Sequence, residues 1–315
     1  MRFALTIAAA LLAGLPFAVQ AQQQMTWGET EVIGLKRLKR EQITSLLPIK
    51  VGEVADQKEK EMLKWCEPLR KLPVLAVSCN GAVVGTKLYY VVEILEDTES
   101  DAILQASRSP RASGRVSPDA RKLLAMREHR VQEVIADGYM PGEQITPSGI
   151  LVSDDPELRA FDAQLRDFAM GQQDKLIAMV LDANHPERRD AISMLQWAGN
   201  PAFSIAAIQG RLLDPDTEVR NFTARFILTF IERLRDSEVA ESLALTLTKV
   251  LTLPSHADRT KALAILSPLY TLHPEIRPTL RLEASEPLAK IARESVLPGV
   301  GGEARGLLAA IGGAE

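Results

Sequence analysis

Two cysteines, four histidines and a few clusters of like charge are where this 315-residue chain could do chemistry. Cys66 and Cys79 stand close in sequence, and neither has another Cys or a His at a metal-ligand spacing. In an oxidising compartment an even count suggests a disulfide, with two buried thiols as the alternative. His129, His185, His256 and His273 lie far apart. "HPE" occurs at 185 and again at 273, in turns ahead of helices, and reads as a helix-entry device rather than a metal or catalytic site. Phosphate loops, nucleophile elbows and HExxH motifs do not occur. The acid groups Asp154-Asp155 and Asp214-Pro215-Asp216 sit at helix starts, where capping accounts for them. No catalytic, cofactor-binding or metal-binding residue is therefore assigned, no cofactor is expected, and the chain does not read as an enzyme. An envelope enzyme or enzyme subunit, with a site assembled from sequence-distant residues, is the alternative.

Charge is the other candidate carrier of function. Lys36, Arg37, Lys39 and Arg40 form "KRLKR", a candidate patch for recruiting an acidic partner. Leu35 and Leu38 interrupt it and suit a core, which would leave the cations in water. From 28 to 96, 11 Lys and Arg nearly cancel 10 Asp and Glu. From 141 to the end, 24 acids outnumber 18 bases, favouring basic or neutral partners. The net charge of -4 argues against a nucleic-acid partner. Arg108, Arg111, Arg115, Arg121, Arg127 and Arg130 interleave with Asp119, Glu128 and Glu133, as on a solvated, partly ion-paired face.

The elements that must position these residues fall into blocks. Residues 1–21 carry Arg2, an apolar run and a small-residue Val19-Gln20-Ala21 end, the pattern of a cleavable secretory signal. An uncleaved anchor helix is the rival, and would be the route to direct membrane contact. The expected location is the periplasm. A strand is expected at Thr30–Ile33, then a helix from Arg40 with Ile43, Leu46 and Leu47 inward, ended by Pro48. A second helix follows, with Met62, Leu63, Trp65, Cys66 and Leu69 on one face. Two strands, "VLAVSCN" and "KLYYVVEIL", flank a "GAVVGT" turn.

This order, with "EVIGLKRLKREQI", "LPIKVGEV" and "KLYYVVEILE", resembles a POTRA domain, the β-α-α-β-β module of outer-membrane assembly and secretion proteins. Val32, Gly34, Gly52, Val91, Val92 and Glu93 fit the family's places; "LRKLPVL" departs from its usual middle. The resemblance implies a protein-interaction module over residues 28–96.

Residues 97–118 read as a polar linker. From Asp119 nearly everything reads as helix, with Ser117-Pro118-Asp119 and Asp155-Pro156-Glu157 as starts. Segments at 186, 217 and 257 align: Glu187 with Glu218 and Asp258, Arg189 with Arg220 and Thr260, Leu195 with Phe226 and Leu266. This resembles HEAT-type repeats over 171–312, with an ordinary helical bundle as the alternative. The expected fold is thus α+β (residues 28–96) followed by an all-α solenoid (119–315). The expected role is a periplasmic scaffold that binds envelope proteins through a sheet edge and a helical groove.

Overall fold

The computed structural model describes residues 25–55, 59–96 and 112–312, with residues 59–61 described by their backbone alone. The signal-like residues 1–21 and most of the expected linker lie outside these ranges. An α+β region comes first and a mostly helical region follows.

The first region holds β1 (Thr26–Trp27), β2 (Glu31–Ile33), α1 (Arg40–Thr44), α2 (Glu59–Trp65), a 3-10 turn (Leu69–Lys71), β3 (Ala76–Val84) and β4 (Lys87–Leu95). β4 is central. Its antiparallel partner β3 lines one side along the full length, Ala76 opposite Leu95 and Val84 opposite Lys87. β1 and β2 lie end to end on its other side, both parallel to it. α1 is shorter than its apolar spacing suggests: Ile43 and Leu47 are buried, but Leu46 is exposed. Pro68 ends the second helical stretch early, because proline cannot donate to the preceding turn. The "GAVVGT" segment is mostly strand, and the turn is only Gly85-Thr86, with Gly85 at φ 59°.

The helical region runs α3 (Pro118–Ala136), a β5–β6 hairpin (Glu143–Ile145, Leu151–Ser153), α4 (Pro156–Ala169), α5 (Gln173–Leu181), α6 (Arg188–Met194), α7 (Pro201–Ile208), α8 (Thr217–Phe230), α9 (Ser237–Thr252), α10 (His256–Leu272), α11 (Arg277–Glu283), α12 (Ser285–Glu294) and α13 (Pro298–Gly312). The hairpin lies in a stretch that the sequence reads as nearly all helix. Helices α6, α8, α10 and α13 neighbour one another in one layer; in a second, α5 neighbours α7 and α9 neighbours α11, with the 3-10 turn Gln209–Leu213 between α7 and α9. The expected starts are real. Ser117 Oγ accepts from the Ala120 N–H at 3.1 Å, and Asp155 accepts from the Glu157 and Leu158 N–H groups. Leu195, Phe226 and Leu266 are all buried.

Both faces of β4 are covered. Trp27, Val32, Tyr90, Val92 and Ile94 pack under α1 and α2 with Ile43, Cys66 and Leu69. Ile33, Tyr89 and Val91 belong instead to the core of the helical region. No helix among the described residues is long and apolar enough to cross a membrane.

Candidate functional site

The "KRLKR" run resolves into a clamp on the chain's own carboxylate. Glu96, at the end of β4 and 4% exposed, accepts backbone N–H bonds from Lys36 (2.9 Å), Arg37 (2.9 Å) and Leu38 (3.1 Å). Arg37 Nε adds a fourth at 3.2 Å, and its Nη2 reaches the Glu96 carbonyl at 3.0 Å. Consecutive N–H groups converging on one anion form a nest. Burial would raise this carboxyl; the three backbone donors and Arg37 outweigh it and hold it below the usual carboxylate range. Arg40 donates to the Thr30 carbonyl and, at 3.1 Å, to that of Glu294 in the helical region. Arg37 and Arg40 of the candidate patch thus bind groups of the chain itself, although the Arg37 side chain is largely exposed. The side chains of Lys36 and Lys39 are exposed.

Cys66 and Cys79 form a disulfide with Cα atoms 6.0 Å apart. It ties the segment after α2 to the middle of β3, and both residues are buried. Tyr90 lies in the same core; its hydroxyl donates to the Met62 carbonyl at 2.8 Å, and burial lifts its pKa to about 12. The disulfide therefore fixes β3 from its inner side.

Among the described residues the outer side of β3 is open, and the strand's only partner strand is β4. Ala76–Val84 reads AVSCNGAVV, nine residues without a charge or a proline. Soluble proteins usually blunt such an edge with lysines, proline or a bulge. Val83 is 60% exposed and Leu75, just before the strand, 54%. Gly81 presses against α2: a Cβ there would meet Met62 Cε at 3.2 Å.

The seam between the regions is built from a buried carboxylate, Glu31, and a half-buried one, Glu93. Glu93 accepts from the His256 N–H at 2.6 Å, at the N-terminus of α10, and Glu31 accepts from the Val296 N–H at 2.8 Å. Burial pushes both carboxyls up and the His256 imidazole down. Arg259, in the first turn of α10, feels the charges of Glu31, Glu294 and Glu93.

That arginine belongs to a repeating device. Arg159 Nε donates to the Ser153 carbonyl (3.0 Å), Arg220 Nη1 to that of Asp214 (2.8 Å) and Arg259 Nε to that of Leu253 (2.8 Å). Each reaches back six residues past the cap of its own helix. Arg188 meets Asp214 at 2.6 Å and Arg220 meets Asp258 at 2.9 Å, both pairs buried. The buried pair with Asp214 is made by Arg188, next to the Arg189 of the sequence alignment. Arg189 lies on the surface with Glu128. Asp216 is a cap as expected, but Asp214 is an ion-pair partner, and Asp154 binds Tyr139 and Gly142. Arg127 is not on a solvated face: it is mostly buried against Asp162 at 2.8 Å and stacks over Trp197.

His185 is a helix-entry residue: its Nδ1 accepts from the Glu187 N–H. His273 Nδ1 meets Glu275 at 2.9 Å. Among the described residues no group of three or more His, Cys, Asp and Glu converges to hold a metal ion. The tail of the expected linker is fastened: Ala112 N–H donates to Asp182 and Val116 N–H to Glu187. A groove lies between α3, α6 and α8. There Arg121, Arg189 and Arg225 surround Phe222, with Glu128 and Asp190 beside them, in about 330 Å³.

Comparison of the chain with family models, with curated proteins and with solved structures gives no match.

Proposed function

We propose that this chain is an exported, periplasmic scaffold that captures an extended segment of an envelope protein by adding it as a strand to β3. The uncharged, unpaired nine-residue edge of β3 carries this reading. Main-chain hydrogen bonds would supply the affinity, and the side chains at alternate positions the selectivity. Val77 and Val83, on the α2 side of the strand, favour an apolar, β-branched residue at alternate positions of the partner. The α+β region is read as POTRA-like on its strand order. The helical region is read as a HEAT-like solenoid, supported by its two layers and its repeating first-turn arginine. Membrane contact is indirect in this reading, and nucleic acid is not a partner.

The test is amide hydrogen exchange with an added strand-forming peptide of alternating valine. Binding should protect the outward amides of Ala76–Val84. A peptide that binds yet leaves those amides exchanging at their free rate would sink the proposal. A photo-crosslinker at Val83 in the native envelope then names the partner.

A further inference from the structure

We propose that one occupant of the β3 edge is the β3 edge of a second copy, in an antiparallel pair about a two-fold axis through Asn80. This rests on reading β3 as a strand-accepting edge, and names a partner for it. The sequence of the strand carries the inference. A two-fold pair places residues of the same face opposite each other, because side chains alternate with a period of two. Only registers joining odd positions to odd and even to even are therefore allowed. The register centred on Asn80 keeps all nine residues paired.

In that register Val77 faces the partner's Val83, and Val83 the partner's Val77. Two β-branched contacts form on the side of α2 and cover the side chain that is 60% exposed. Ser78 faces Ala82, and Cys79 faces Gly81, so a larger residue meets a smaller one at each place. Ala76 faces Val84. Asn80 faces Asn80, both exposed in the single chain. No position sets like charges together, since the strand has none. A partner of opposite charge gains nothing here, whereas an identical strand meets no mismatch. Strand pairing alone covers less than a permanent dimer needs, so the association is weak and concentration-dependent.

The experiment is sedimentation of the oxidised, exported protein over a series from about micromolar to about millimolar concentration. Wild type should self-associate. Asn80→Lys and Asn80→Asp should each raise the dissociation constant about fivefold, because like charges then meet at the axis. An equimolar mixture of the two variants should regain wild-type association or better. Unchanged thermal midpoints show that each variant is folded. As a measurement independent of that charge, Asn80→Cys should oxidise to a linked dimer, and Lys122→Cys on α3 should not. Failure of the mixture to recover, or linkage at both sites alike, overturns the proposal. If wild type stays monomeric throughout but a strand peptide still protects β3 amides, self-pairing falls and the strand-accepting edge stands. If neither occurs, both fall.

Discussion

The two regions handle buried charge by opposite means. In the helical region, aspartates pair with arginines across successive helices: Arg188 with Asp214, Arg220 with Asp258. In the α+β region, buried or half-buried carboxylates bind backbone N–H groups: Glu96 the 36–38 loop, Glu93 and Glu31 the helical region itself. The helical device repeats and can be copied from one helix pair to the next. The α+β device is used at single places where two segments must be joined. The two also differ in what they leave open. The helical surface presents charged groups already paired, as Arg189 is with Glu128, whereas β3 presents unpaired backbone. Paired surface ions carry little free energy, so an edge of nine residues is the stronger candidate for recognition.

That contrast can be broken by substitution. The largest effect is expected inside the helical region. Asp258→Ala leaves Arg220 buried without its acid, and should cost about 3–5 kcal/mol in urea denaturation. A loss no greater than that from Glu128→Ala, on the surface, would show that the pairs do not hold the array. Next is the disulfide. Replacing both Cys66 and Cys79 with serine should cost about 2–4 kcal/mol, with faster amide exchange confined to the α+β region. Loss spread evenly over both regions would mean that they unfold as one unit.

Glu96→Ala comes third, at about 1–3 kcal/mol, because it strands three N–H groups and Arg37. The carboxyl lies below its usual range when folded. Its contribution is therefore present above the ordinary carboxylate pKa and lost as pH falls through the folded value. Glu96→Gln should flatten that acid limb in thermal melts taken across acidic pH. Smallest is Glu93→Gln, at about 1 kcal/mol or less, since the amide oxygen still accepts from His256. The folded carboxyl of Glu93 is raised. Its favourable share is full below the ordinary value and fades as pH rises through the folded one. The Gln variant should lose that decline, the reverse of the Glu96 result. Equal pH profiles for the two variants would erase the distinction drawn here.

Much of the local structure was legible in the chain. Ser117 and Asp155 announced helix starts because capping needs only a side-chain oxygen and the N–H groups that follow. Ile43, Cys66 and Leu69 were placed inward by spacing alone, whereas Leu63, placed on the same face, is exposed. The Cys66–Cys79 bond was one of two readings that spacing allowed. What failed depends on distant partners. Arg188 and Arg189 are adjacent and chemically identical, and only the location of Asp214 decides which is buried. β1 is two residues long and carries no periodicity to read. The docking of the sheet did leave a signal: Leu88 to Val92 is an unbroken apolar run, as expected of a strand covered on both faces rather than one. An open sheet edge was expected, but not which strand would form it. Which strand lies at the margin is set by the pairing of β1 and β2 on the far side of β4, and that is not written in any local pattern.

The seam carried by Glu93 and Glu31 has a consequence for the order of synthesis. Their backbone partners, His256 and Val296, follow them by 163 and 265 positions. During chain elongation the sheet emerges long before anything can cover Ile33, Tyr89 and Val91. For that interval the nascent protein displays a greasy face that its finished form hides. Such intermediates are the ones prone to aggregate. Holdase chaperones should therefore bind truncated chains ending before about residue 256 and release chains that include α13.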